Sequence, residues 1–134
     1  MIEIWGGASV KQYILLLGLL VATAVPVLAA AIIVPNTAQS LERGRESFAS
    51  RCAECHGRDG RGHVEVIADA GDLTEPLLYR NGSTDEAIDS SIRDGAGAGM
   101  PAYGNELKNP DDVGHLRNYI KSLWPADKRP PIEK

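Results

Sequence analysis

The apolar and charged residues of the chain are unevenly distributed and divide it into two segments. Residues 1–35 carry only Glu3 and Lys11 as charged side chains, and residues 13–34 are 22 consecutive uncharged positions rich in Leu, Val, Ala and Ile. A membrane-spanning helix needs about 20 apolar residues, whereas the apolar part of a signal peptide has about 7–15. The length therefore predicts a single N-terminal transmembrane helix, and we interpret residues 1–35 as a membrane anchor.

A cleaved export signal is the alternative interpretation of this segment. The small residues Ala29–Ala31 are typical of a cleavage site, so the removal of residues 1–31 is left open. Pro35 ends the apolar stretch because a proline restricts the residue before it. The polar residues 36–40 are predicted to form a short linker that holds the following domain close to the membrane.

Residues 36–134, about 99 in all, are enough for one small domain, and their apolar positions recur with helical spacing. No alternating run argues for a sheet, so we predict an all-α fold of three to four helices. The predicted segments are a helix over 40–51, a helical turn over 76–80, a helix from Ser83 or Thr84 to Gly95, and a helix from Asn109 and Pro110 to Trp124. The tail, residues 126–134, is predicted to be exposed or bound to a partner.

The formal net charge is −4, and because Glu3 and Lys11 cancel, residues 36–134 carry the same charge. Nucleic-acid-binding domains show clustered basic residues, which this chain lacks. The charge therefore argues against a nucleic-acid partner and does not identify another.

The two cysteines of the chain form the sequence Cys52-Ala53-Glu54-Cys55-His56. A C-x-x-C-H sequence is typical of covalent haem attachment, in which the two thiols form thioethers and the histidine binds the iron. A dithiol redox pair is one alternative, but it is expected beside a strand–helix unit. A zinc site made by these three residues and His63 is another, although the Cys55–His56 spacing does not suit it.

Met100 is the candidate for the second iron ligand. It lies 44 positions after His56, at the end of the glycine-rich run Gly95–Met100, and Pro101 favours an extended backbone there. A thioether opposite a histidine suits haem iron and raises its reduction potential. His63 and His115 are weaker candidates, because His63 is too close to His56 in sequence and His115 borders the apolar stripe of the last helix.

Several ordered motifs resemble the class I c-type cytochromes in their bacterial single-haem form. They comprise Gly44 to Phe48 followed by Cys52–Gly57, the helix from Ser83 to Gly95, the sequence Met100–Gly104, and the helix from Leu116 to Trp124. The resemblance covers roughly residues 40–124. It implies a cytochrome c fold around one covalently bound haem c, with the first and last helices crossing near Gly44 and Tyr119.

The family often has a Gly-Pro-Leu element whose carbonyl orients the ligating histidine. The matching stretch here is Ala70-Gly71-Asp72-Leu73, without the proline, so the group that orients His56 is not evident.

The same resemblance implies one-electron transfer rather than catalysis, because His56 and Met100 would fill both axial positions. A peroxidase-like haem enzyme and a structural or sensor haem protein are the alternatives. Haem attachment outside the cytoplasm implies a single-pass protein of the cell membrane with its N-terminus in the cytoplasm. Its expected partners are the membrane and redox proteins, such as other subunits of a respiratory or photosynthetic complex.

Overall fold

The computed structural model describes residues 33–62 and 70–134, and α-helices form the framework of this part. The described helices are α1 (Ala38–Arg51), α2 (Ala53–His56), α3 (Asp85–Asp94) and α4 (Asp112–Ser122), and a 3₁₀ turn spans Pro76–Leu78. Within these residues there is no β-strand, only the isolated bridges 37/133 and 96/100. The predicted all-α fold of three to four helices is confirmed.

The predicted transmembrane helix lies outside the described residues, except for its last two positions. No helix in the described part is long and apolar enough to cross a membrane. Ile33 is 86% exposed, whereas Val34 is only 6% exposed. A Cβ atom on Gly114 of α4 would come within 2.4 Å of Val34 Cγ2, so Val34 packs directly on the helix.

The prediction of a polar linker over residues 36–40 is wrong. α1 begins at Ala38, and Thr37 caps it by accepting a hydrogen bond from the Ser40 amide at 3.1 Å. Asn36 and Ser40 are both buried, and Ser40 Oγ accepts a hydrogen bond from Asn118 Nδ2 at 2.9 Å. The polarity of this segment serves hydrogen bonds inside the domain, a role that composition alone does not distinguish from solvation.

Helices α1 and α4 cross at Gly44, as predicted. A Cβ atom at Gly44 would lie 2.1 Å from the His115 carbonyl oxygen and 2.6 Å from Tyr119 Cβ. Glycine therefore allows an approach that no other residue permits. The helices bury a common apolar core, whose buried members are Phe48, Ile88, Ile92, Leu107, Val113, Leu116, Ile120 and Trp124.

Helix α3 packs on α4 through both apolar and charged contacts. Thr84 Oγ1 caps α3 by accepting from the Ala87 amide at 3.2 Å, and Gly95 ends the helix, as predicted. The buried Arg117 guanidinium donates to Asp89 Oδ2 at 2.8 Å. Burial raises the pKa of Asp89, and the positive charge of Arg117 opposes this shift.

Helix α4 begins at Asp112, later than the predicted start at Asn109 and Pro110. The Asp112 carboxylate accepts a hydrogen bond from the Asn109 amide at 3.1 Å, so a separate turn precedes the helix. The side chains of the C-terminal tail are mostly exposed. Its backbone, however, returns to the start of α1, where the Glu133 amide donates to the Asn36 carbonyl at 2.8 Å.

Candidate haem site

The end of α1 and the whole of α2 present the C-x-x-C-H residues. Cys52 stands between the two helices, and its amide donates to the Phe48 carbonyl at 2.9 Å. The His56 amide donates to the Cys52 carbonyl at 2.9 Å, which makes residues 52–56 one helical turn. Residues three apart are neighbours on a helix surface, so Cys52 and Cys55 can reach one ligand from the same side.

A cavity of about 440 Å³ lies beside this turn. Cys52, Cys55, His56 and Met100 all line it, and its other walls include the apolar side chains of Leu73, Ile88, Ile92, Leu116 and Ile120. Cofactor sites are commonly apolar cavities of about 300–1,000 Å³ with a few polar groups. The structure thus brings all four predicted site residues to one cavity of suitable size and character for a haem.

The Gly71 backbone orients the His56 ring. Its carbonyl oxygen lies 3.1 Å from His56 Nδ1 and accepts a hydrogen bond from the tautomer protonated there. Nδ1 is then occupied as a donor, and Nε2 is the nitrogen left for a metal, the arrangement typical of metal-binding histidines. This carbonyl lies in the stretch 70–73, so an element without proline can still direct the histidine.

Two backbone contacts hold the Gly71 segment near the histidine. The Leu73 amide donates to the Gly60 carbonyl at 2.6 Å, and the Gly62 amide donates to the His56 carbonyl at 2.7 Å. The chain that leaves the C-x-x-C-H turn is therefore bound both to that turn and to residue 73. The position of the Gly71 carbonyl is fixed by the local backbone, which sequence patterns do not reveal.

Met100 lies on a loop whose two ends are bonded to each other. The amide of Ala96 donates to the Met100 carbonyl at 3.1 Å, and the amide of Met100 donates back to the Ala96 carbonyl at 3.3 Å. Gly95 has a φ of 85°, and a Cβ atom there would lie 2.6 Å from the Met100 oxygen. The predicted role of the glycine run, a tight loop that brings Met100 to a ligand, fits this geometry.

Tyr103 ties the same loop to α1. Its amide donates to the Ile92 carbonyl at 2.9 Å, and its hydroxyl donates to the Arg51 carbonyl at 3.2 Å. Because Arg51 immediately precedes Cys52, this contact joins the Met100 loop to the cysteine turn. The sequence contains no signal for this bond beyond the position of Tyr103 three residues after Met100.

A pair of aromatic residues, Tyr79 and Trp124, also supports the cavity and was not predicted from the sequence. The Tyr79 hydroxyl, beside the cavity, donates to the Leu73 carbonyl at 2.7 Å and accepts from Trp124 Nε1 at 2.9 Å. Burial raises the pKa of Tyr79 to about 12, so its hydroxyl stays protonated at neutral pH. The bond links the segment just after α4 to the wall next to Gly71.

The competing interpretations of these residues gain no support. Burial raises the pKa of the Cys52 thiol to about 11, whereas reactive dithiols have lowered thiol pKa values. His115 does not line the cavity, and its Nδ1 is bonded to Ser40 Oγ at 2.9 Å. His63 lies outside the described residues.

A helical fold that brings C-x-x-C-H and a methionine loop to one apolar cavity defines a class I c-type cytochrome. More narrowly, residues 39–120 match the family model described as cytochrome c oxidase, cbb3-type, subunit III. The chain belongs to this family. Family members bind haem c covalently through C-x-x-C-H, and haem c is the cofactor of this chain.

Relatives of the chain include oxidase subunits and a small cytochrome. It is 35% identical over 90 residues to the cbb3-type cytochrome c oxidase subunit FixP of Azorhizobium caulinodans. The alignment covers 66% of this chain and 29% of that protein. The chain is 32% identical over 85 residues to the subunit CcoP of Rubrivivax gelatinosus, with coverages of 63% and 26%. It is 37% identical over 86 residues to cytochrome c6 of Cladophora glomerata, with coverages of 62% and 88%.

The fold is also found in a solved structure. Cytochrome CL of Methylophaga aminisulfidivorans aligns with a TM-score of 0.58 at 24% identity, covering 70% of this chain and 61% of that one. This similarity supports the cytochrome c fold alone. The chain spans less than a third of the length of the two oxidase subunits, so it corresponds to one part of those proteins.

Proposed function

We propose that the chain is a membrane-tethered one-electron carrier in which Cys52 and Cys55 attach the haem and His56 and Met100 bind its iron. The observation that carries this proposal is that these four side chains line one cavity while Gly71 holds His56 by Nδ1. Haem iron supplies the redox chemistry by changing its charge by one. The protein supplies the attachment, the two ligands and an apolar enclosure.

The residues around the cavity act by holding the ligands in place during this change. The Gly71 carbonyl keeps the His56 ring in one orientation, and a hydrogen-bonded ring is a more basic ligand. The bonds between Ala96 and Met100, with the Tyr103 contact to Arg51, keep the methionine backbone in place. A site that moves little when its charge changes is suited to electron transfer.

Replacing Met100 by alanine tests the ligand set. We expect Met100→Ala to abolish the methionine–iron absorption band and to lower the reduction potential, because a thioether ligand favours reduced iron. The matched control is Leu73→Ala, which truncates another apolar side chain lining the same cavity. Loss of the band in Met100→Ala but not in Leu73→Ala supports ligation; an unchanged spectrum in both variants contradicts it.

A peroxidase-like enzyme is the alternative function, and it requires an open position on the iron. Carbon monoxide binding to the reduced native protein distinguishes the two functions. We expect no binding to the native protein and clear binding to Met100→Ala. Rapid binding by the native protein would contradict the carrier function in favour of catalysis.

We further propose that the carrier works outside the cytoplasm as a subunit of a respiratory complex. The apolar stretch over residues 13–34 supports a membrane tether, and the relatives named as oxidase subunits support a respiratory role. A tether raises the effective concentration of the haem domain near membrane partners. Purification of the chain in mild detergent, followed by identification of the co-purifying subunits, tests this placement. Migration as an isolated chain that exchanges no electrons with a membrane oxidase would contradict it.

A further inference from the structure

The segment at the end of the predicted membrane span is bound to the domain from two sides. Asn118 Nδ2 on α4 donates to the carbonyl oxygens of Val34 at 3.2 Å and Pro35 at 3.1 Å. Asn36 Nδ2 donates to the Pro131 carbonyl at 2.7 Å, and also reaches that of Pro130 at 3.3 Å. We call residues 34–37, with Asn118 and residues 130–133, the exit clamp.

The C-terminal tail runs beside residues 36–37, in the same direction. Thr37 and Glu133 form a parallel bridge, the Glu133 amide donates to the Asn36 carbonyl at 2.8 Å, and the Asn36 amide donates to Glu133 Oε1 at 3.3 Å. In a parallel pair, residues that precede the bridge lie on the same side of it. Residues 130–132 therefore lie on the side from which the chain arrives at the domain.

Two large apolar side chains are exposed along this edge of the domain. Ile33 is 86% exposed and Ile132 is 59% exposed. Ile33 immediately precedes Val34, the first residue of the exit clamp, so their Cα atoms are about 3.8 Å apart. The exposed Pro131 precedes Ile132 on the tail and the exposed Glu133 follows it, and the positively charged Arg129 lies three residues before Ile132. We call Ile33, Arg129, Pro131 and Ile132 the exit edge.

The position of the exit edge indicates what covers it. The uncharged stretch 13–34 includes Ile33 and ends at Val34, so the lipid that holds this stretch lies nearest to these residues. The polar layer of a bilayer is several ångströms thick on each side of its apolar core, and it accepts apolar side chains beside basic groups. A lipid surface thus matches the apolar side chains of the edge.

We propose that the exit edge rests on the lipid headgroup layer, and that the exit clamp holds the C-terminal tail in this contact. This inference depends on the membrane tether of the proposed function. The C-terminal tail then acts as a membrane-contacting support.

Spin labels on the haem-loaded full chain in lipid nanodiscs test the contact. The native cysteines are consumed as thioethers, so a cysteine introduced by Ile132→Cys carries the single label. The control is Leu77→Cys, because Leu77 is an equally apolar side chain, 83% exposed, on the 3₁₀ turn before α3. Collision rates are measured with molecular oxygen, which concentrates in lipid, and with a nickel chelate, which stays in water.

We expect the oxygen-to-nickel ratio to be several-fold higher at position 132 than at position 77. Equal, water-like ratios in a chain that stays with the nanodiscs would overturn this inference and leave the tether intact. A chain that separates from the nanodiscs would overturn the tether and this inference together.

Asn36→Ala tests the exit clamp itself, because it removes both side-chain bonds to the tail. We expect a more mobile label at position 132 and a loss of its lipid contact, with the haem spectrum unchanged. The matched control is Asn105→Ala, at an exposed asparagine in the loop after Met100. Retention of the lipid contact in Asn36→Ala would overturn the role of the clamp.

Discussion

Replacing Gly44 by alanine would insert a methyl group into the crossing of α1 and α4. The new Cβ atom would lie 2.1 Å from the His115 carbonyl oxygen, whereas such contacts are essentially never below 3.0 Å. The oxygen belongs to a helix backbone and cannot rotate away, so the two helices must separate by about 1 Å. A gap of that size removes about half of the dispersion energy of each contact between the helices.

The net destabilisation follows from two opposing effects. Overpacking of a core costs about 1–3 kcal/mol, and a backbone clash belongs at the upper end of that range. Alanine favours the helix over glycine by about 1 kcal/mol, which leaves a net cost of about 2 kcal/mol. For a domain of this size, that cost lowers the unfolding temperature by about 8–16 °C.

Thermal unfolding of the haem-loaded protein, followed by far-ultraviolet circular dichroism, measures this effect. The matched control is Glu46→Ala, because residue 46 is an exposed position on the same helix, away from the crossing. We expect Glu46→Ala to leave the unfolding temperature almost unchanged. A decrease in Gly44→Ala of less than about 4 °C, equivalent to less than about 1 kcal/mol, would refute the close-contact argument.

Three further substitutions test polar groups of the domain. Tyr79→Phe should lower the free energy of unfolding by about 1–3 kcal/mol in chemical denaturation, because it leaves Trp124 Nε1 without its acceptor. Tyr103→Phe, which loses one bond to a backbone carbonyl, should cost only about 0.5–1.5 kcal/mol, and equal costs would contradict the argument. Burial lowers the pKa of His115 below 6.5 in the folded protein, so the unfolded chain binds the proton more readily. The free energy of unfolding should therefore fall as the pH decreases below 6.5. His115→Gln should flatten this dependence in unfolding measured from pH 5 to 8, and an unchanged slope would assign it to other groups.

The helices were predictable where local chemistry and periodicity agree. Thr84 and Gly95 bound α3 as expected, because a hydroxyl cap and a left-handed glycine act within a few residues. The start of α1 was not predictable in the same way. Asn36 and Ser40 are polar residues of the kind found in linkers. Only their hydrogen bonds to residues about 80–95 positions away place them inside the domain.

The features of the candidate site also differ in whether adjacent residues alone predict them. The short motif at residues 52–56 and the glycine-rich approach to Met100 carry their chemistry in adjacent residues, so both could be found from the sequence. The acceptor for His56 is a backbone carbonyl, which every residue possesses, and its identity depends on how residues 60–73 fold. The Tyr79–Trp124 bond joins residues 45 positions apart, and no spacing rule predicts it.

Helix α4 connects the two regions that the proposals concern. Leu116 and Ile120 line the haem cavity, while Gly114 and Asn118 hold Val34, at the end of the predicted membrane span. Residues on one rigid helix cannot move independently, because its backbone bonds fix their separation. A haem bound in the cavity would therefore keep a constant distance from Val34, and the packing of one helix sets that distance.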